Sequence, residues 1–183
     1  MARFQRQLIR FQRQPPGTAI TRALLVLGGG LAAGSAWLIV AREPGAGGIA
    51  AGVSGTFLLI GGHRANHGAG GPTDRVLDEL LDRAWDASVL GSIAWAAHDT
   101  RPRVAAAALI ALCLSFLSAY VRARGAALAY SVEESHVTRG VRYTLIVLGL
   151  GFGWLGWTTW VTAGVAALAA LVRTAQVAGE DRG

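Results

Sequence analysis

Residues Val104 to Val121 read VAAAALIALCLSFLSAYV, 18 positions without a charge. A helix that crosses a bilayer core needs ~20 mostly apolar residues, range ~17–25. This stretch therefore predicts a transmembrane helix and decides the class of the chain. Outward from it lie five more apolar blocks, at about Thr21–Val40, Gly45–Gly62, Leu80–Ala97, Tyr143–Trp157 and Thr158–Leu171. The second, fifth and sixth blocks are short or glycine-rich, so their ends are set only approximately. The expected fold is all-α: a polytopic membrane protein of six transmembrane helices preceded by an N-terminal interfacial amphipathic helix. The regions are a basic juxtamembrane helix and linker at 1–19, the six-helix domain at 20–173 and a polar tail at 174–183.

Composition agrees. Of 183 residues 52% are apolar and 15% charged, and the mean hydropathy is +0.41. Ordinary soluble domains carry about 25% charged residues. All 17 basic residues are arginine. An isoelectric point near 10.9 on its own suggests a nucleic-acid partner. The arginines, however, flank apolar blocks and form no stripe on a soluble domain, which excludes that partner. Cys113, the single cysteine, sits inside an apolar block and rules out an intrachain disulfide or a multi-cysteine zinc site.

Arginine counting sets the orientation. Fourteen arginines fall on one side of the six blocks, and only Arg42, Arg101 and Arg103 fall on the other. The positive-inside rule then places both termini in the cytoplasm, in a bacterial cell membrane. Trp37, Trp95, Trp154, Trp157 and Trp160 fall near the opposite, outer ends, where amphipathic rings anchor in the headgroup layer. The N-terminus lacks the form of a cleaved signal peptide, since its apolar block is too long and no small-residue cleavage site follows. Ahead of that block, Phe4, Leu8 and Phe11 share a helical face among arginines, the pattern of a helix lying on an anionic leaflet. Pro15-Pro16-Gly17 ends it. Glycines 28, 29, 30 and 34 in the first block and 149, 151, 153 and 156 in the fifth suit close helix packing. The Gly61-Gly62 and Gly68-to-Gly71 runs lack the Gly-Lys-Ser/Thr ending of a phosphate loop.

Five of the 11 acidic residues crowd between Asp74 and Asp86. Asp74, Asp78, Asp82 and Asp86 are four apart throughout, one slowly drifting stripe on a helix at ~100° per residue. The stripe enters the third apolar block, where carboxylates are costly and by default functional. They call for arginine partners or a divalent metal with oxygen ligands. A solvated helix start is the plain alternative, and it suits Asp74 and Glu79 better than Asp78 and Asp82.

The segment Asp78-x3-Asp82-Arg83-Ala84-Trp85-Asp86-Ala87 resembles the end of the CDP-alcohol phosphatidyltransferase signature, D-x2-D-G-x2-A-R-x8-G-x3-D-x3-D. Downstream, Tyr120-Val121-Arg122-Ala123-Arg124, followed by Arg139 and Arg142, is similar to a Y-x-R-A-R and E-R-x-x-R pair. That pair occurs in the family's actinobacterial phosphatidylinositol-phosphate and phosphatidylglycerophosphate synthases. The resemblance implies a phospholipid-synthesis enzyme whose aspartates hold two magnesium or manganese ions on the pyrophosphate of CDP-diacylglycerol. By the same carry-over Asp78 and Asp82 are metal ligands, and Asp82 is the base for the acceptor hydroxyl; Asp74 stands where the signature has glycine and joins the metal ligands only in an altered site. Arg122, Arg124, Arg139 and Arg142 bind acceptor phosphate, as forked guanidinium groups suit. Topology-setting alone is the plain reading of those arginines. The family also implies a homodimer, or a heterodimer with an active paralogue.

The first half of the signature is degenerate. In register with Asp78, its two aspartates are replaced by Phe57 and Ile60, and no Asp or Glu occurs from Pro44 to Thr73. His63 and His67, four apart, are softer ligands than magnesium prefers and read first as loop residues. The sequence therefore favours a non-catalytic or regulatory homologue without the usual two-metal site. An active phosphatidyltransferase with an altered site, acting on inositol phosphate or glycerol phosphate, stands second. An unrelated transporter-like membrane protein stands third.

Overall fold

The computed structural model describes residues 17–128, 130 and 136–180. The expected interfacial helix before residue 17 lies outside the described residues. Within them the chain forms α1 (Thr18–Val40), α2 (Pro44–Asn66), α3 (Pro72–Ala97), α4 (Pro102–Ala127), α5 (His136–Phe152) and α6 (Leu155–Glu180). Pro44, Pro72 and Pro102 open three of these helices. At that position the missing N–H costs nothing and the fixed φ favours the helix. At α3 the Asp74 carboxylate also accepts the Gly71 N–H at 2.7 Å, closing the first turn.

Several boundaries differ from expectation: α4 runs on to Ala127 and α5 starts at His136, each about two turns beyond its apolar block. α3 begins at Pro72, eight residues before the apolar block, because its first two turns are polar on one face and aspartate-lined on the other. The break between the last two helices falls at Gly153-Trp154, not after Trp157. Gly153 has φ +72°, a left-handed turn that stops α5 where the apolar pattern runs on. α6 continues to Glu180, through most of the segment read as a tail.

Sequential helices run antiparallel. Leu58 of α2 packs on Gly28 of α1, and Ile39 on Gly47. Leu150, Val147 and Tyr143 of α5 line up against Gly48, Gly52 and Gly55 of α2. α3 packs on α1, α2 and α4, while α6 closes the bundle against α4 and α5. Leu25, Leu58, Trp85, Val89, Leu90, Ile93 and Ile146 form the dry centre. Gly28, Gly29 and Gly149 do make close helix contacts, whereas Gly30, Gly34, Gly151 and Gly156 meet nothing within 4 Å.

The exterior is that of a membrane protein. Ile49, Leu80, Trp95, Trp157 and Leu171 point outward, an apolar surface far beyond what a soluble monomer shows. Among the described residues, α1, α2, α4 and α6 are long and apolar enough to cross a bilayer. α5 has 17 residues and α3 carries the aspartate stripe. The exposed Trp37, Trp95, Trp154 and Trp157 gather at one end, where α1, α3 and α5 finish.

Candidate functional site: a carboxylate–guanidinium ladder

The four-residue spacing puts Asp78, Asp82 and Asp86 on one face of α3, and all three are buried. Facing them from α5 are Arg139 and Arg142, three apart and also buried. The two sets interdigitate. Arg139 Nη1 reaches Asp78 Oδ1 at 2.8 Å, and its Nε lies 3.2 Å from Asp82 Oδ1. Arg142 Nη2 donates to Asp82 Oδ1 at 3.0 Å, and its Nε faces Asp86 Oδ1 at 2.9 Å. Arg83 on α3 itself pairs with Asp82 and, at 3.2 Å, with Asp86. Ser115 of α4 donates to Asp86 and accepts from Arg83 and Arg142.

Tyr143, next to Arg142, donates its hydroxyl to Asp82 Oδ1 at 2.6 Å. Its ring stacks at 4.0 Å on Trp85, the largest fully buried side chain. Room for that ring comes from Gly55, where a Cβ would stand 2.7 Å from it. On the α2 side the turn that meets the stripe is made by Gly62 and Asn66. A Cβ on Gly62 would run into the Asp78 carboxylate, and Asn66 lies 3.5 Å from Asp78 Oδ2. No Cα of α3 comes within 8 Å of α5 among the described residues, so the gap between these helices is bridged by side chains.

Beside the ladder is a cleft of about 40 Å³, room for a few waters. Its polar wall comprises Asp82, Arg83, Arg122, Arg139, Arg142 and Arg173. Arg173 of α6 donates to Ser118 Oγ at 2.6 Å, and Arg122 pairs with Glu79 at 3.2 Å. Cations from four helices thus converge on one small polar space within an otherwise apolar bundle.

Of the residues singled out in the sequence, Asp78, Asp82, Arg122, Arg139 and Arg142 come together here. Asp74 is buried away from the cleft, bonded to Arg22 at 2.6 Å and to the Gly71 N–H. Arg124 is exposed on the last turn of α4 and does not line the cleft. His63 and His67 are exposed and stacked on each other at 4.0 Å. Phe57 is half-buried, and Ile60 faces outward. Ser115, Tyr143 and Arg173 carry no mark in the sequence beyond being polar side chains within or beside apolar blocks. Arg83 is marked only by its i,i+3 spacing to Asp86.

An aspartate-bearing helix facing an arginine cleft, inside a six-helix bundle with an apolar exterior, puts the chain among all-helical proteins of membrane type. Comparison with known proteins gives that class a particular relative. The chain is 32% identical over 104 residues to phosphatidylinositol phosphate synthase of Corynebacterium glutamicum, a match covering 55% of this chain and 48% of that protein. The match thus spans about half the length of that relative. The fold is that of Mycobacterium tuberculosis phosphatidylinositol phosphate synthase with CDP-DAG bound, with TM-score 0.74, 24% identity and coverage of 94% and 90% of the two chains. The same enzyme in complex with manganese and citrate superposes with TM-score 0.68 at 22% identity, covering 88% of each. No family model matches the chain, as suits a degenerate signature. Over the matched stretch the chain is therefore homologous to a phosphatidylinositol phosphate synthase, and it shares that protein's fold.

One of these relatives was solved in complex with manganese, a divalent cation. The residues present here do not fit a pair of such ions. Hard divalent cations need several converging oxygen ligands. No cluster of three metal-ligating side chains occurs among the described residues. The carboxylates that remain are already held by guanidinium groups.

Proposed function

We propose that this membrane protein acts in phospholipid biosynthesis as a phosphatidyltransferase with an altered site. It would move a phosphatidyl group from CDP-diacylglycerol to a phosphate-bearing alcohol such as inositol phosphate or glycerol phosphate. The observation that carries this is the arginine cleft beside Asp82, within a fold shared with a synthase that binds CDP-DAG. Similarity to a synthase supports transfer ahead of a lapsed enzyme, which reverses the order expected from the signature alone. In this reading Arg122, Arg139, Arg142 and Arg173 grip the acceptor phosphate through charge-assisted bonds. Asp82 takes the proton of the acceptor hydroxyl. The hydroxyl oxygen bonds to the lipid phosphorus, and the bond to the CMP oxygen breaks. No metal-borne step is assigned. All six helices would span the bilayer, with both termini and the cleft on the cytoplasmic side.

One observation favours a second reading, binding or regulation without transfer. Asp82 already accepts from Tyr143 and two facing arginines, so its lone pairs are occupied. Such a protein would hold CDP-diacylglycerol or pair with an active paralogue.

The assay is CMP release by the purified full chain from CDP-diacylglycerol, with inositol phosphate, glycerol phosphate or no acceptor. Transfer predicts acceptor-dependent CMP that disappears in Asp82→Asn. Saturable CDP-diacylglycerol binding with no CMP from any acceptor selects the second reading. Neither binding nor release overturns both.

A further inference from the structure

We propose that Arg83, Arg139 and Arg142 stand in for divalent cations at the Asp78–Asp82–Asp86 stripe, so that the chain balances this site itself and folds without metal. The inference concerns the site described above but holds whether or not transfer occurs there.

Three observations converge on it. Charge comes first. Three buried carboxylates face three guanidinium groups, each carboxylate paired with at least one of them. Guanidinium stays protonated at any working pH, so the compensation is permanent. An entering divalent ion would meet no net negative charge and would have to expel a guanidinium held by two bonds.

The second is the wall opposite the stripe. α2 presents Gly62 and Asn66 to Asp78, and no carboxylate occurs from Pro44 to Thr73. The missing oxygen ligands therefore cannot be supplied by a small register shift of α2. In their place Gly62 lets α3 press close, while the charge arrives from the other side, on α5.

The third is mechanical. α3 and α5 have no backbone approach within 8 Å among the described residues, so Arg139, Arg142 and Tyr143 hold them together across the gap. A metal at the stripe would tie α3 to α2. The guanidinium ladder ties α3 to α5 and, through Ser115, to α4.

The test uses the full chain in detergent and manganese alone as probe. Manganese occupancy is followed by the resonance of the free ion, and stability by thermal unfolding. The wild-type chain is expected to take up no stoichiometric manganese and to show the same Tm in EDTA as in millimolar manganese. Arg139→Gln removes one guanidinium from the Asp78 carboxylate and from one edge of Asp82. This variant is expected to have a lower Tm in EDTA and to regain part of it on adding manganese, since a ligand that binds only the folded state raises stability. Arg139→Lys keeps the charge and should show no manganese response. If Arg139→Gln cannot be purified folded, the wild-type titration alone decides.

Stoichiometric manganese uptake by the wild-type chain with a raised Tm overturns the proposal. So does a folded Arg139→Gln chain indifferent to manganese. Absence of CMP release touches neither result, so the failure of this inference and the failure of transfer are separately visible.

Discussion

At Gly62 a single hydrogen atom decides the geometry of the site. A side chain there would run into the Asp78 carboxylate, and the neighbouring turn of α3 has no slack because Asp78 is tied to Arg139. Gly62→Val is therefore an overpacking substitution beside a buried ion pair. Overpacking typically costs about 1–3 kcal/mol, and a displaced carboxylate adds to that, since breaking a buried pair costs ~3–5 kcal/mol. Gly30→Val is the matched control, because a Cβ there meets nothing within 4 Å. Thermal unfolding in detergent should show a clear drop in Tm for Gly62→Val and little change for Gly30→Val. Equal Tm values would mean that α3 does not press on α2 at this turn. The same contact explains a limit of the sequence. Counting in register with Asp78 points to Phe57 and Ile60, yet Ile60 faces outward and the turn that meets the stripe belongs to Gly62 and Asn66. Spacing along one helix fixes which of its residues share a face, but not which turn of a neighbouring helix that face meets.

Among the elements, α4 was legible outright, since its apolar block is bounded by arginines and opened by Pro102. The aspartate face of α3 was legible too, because four-residue spacing leaves a helix no other arrangement. The apolar block alone puts the start of α3 too late, whereas the aspartate stripe carries the helix back to Asp74, two residues from its first residue, Pro72. Arg139 and Arg142 are marked in the sequence by the family resemblance, whereas Tyr143 and Ser115 become site residues only through contact with α3 across the bundle. The α5–α6 break was displaced because tryptophans and glycines run through it without a polar residue. Gly153 provides the stop with its positive φ. A non-glycine residue in the left-handed region costs about 1–2 kcal/mol, and more when β-branched. Gly153→Val should therefore weaken the α5–α6 hairpin, read as a lower midpoint on unfolding with denaturing detergent. Gly151→Val, two residues earlier within α5 and facing open space, should shift the midpoint by less. Equal midpoints would show that Gly153 is not the element that sets this turn.

On the scale of the whole molecule, two chemistries are sorted to opposite ends. Exposed tryptophans gather where α1, α3 and α5 finish, and the arginine cleft lies towards the end where α4 and α6 finish. Short connecting loops rich in arginine stay in the cytoplasm. The loop after α3, with Thr100, should then face outward, and the Gly68 turn between α2 and α3 should face inward. Cys113 is exposed on α4, so labelling is best done in a Cys113→Ala background. In intact cells a membrane-impermeant maleimide should modify Thr100→Cys and leave Ala69→Cys unlabelled until the membrane is opened. Both positions lie outside the ladder, so neither substitution should disturb it. The outcome also bears on chemistry. The proposed transfer needs the cleft lined by Arg122, Arg139, Arg142 and Arg173 to open on the cytoplasmic side. Labelling in the reverse order would turn the cleft outward, count against that transfer, and leave the guanidinium ladder as a purely structural tie between α3 and α5.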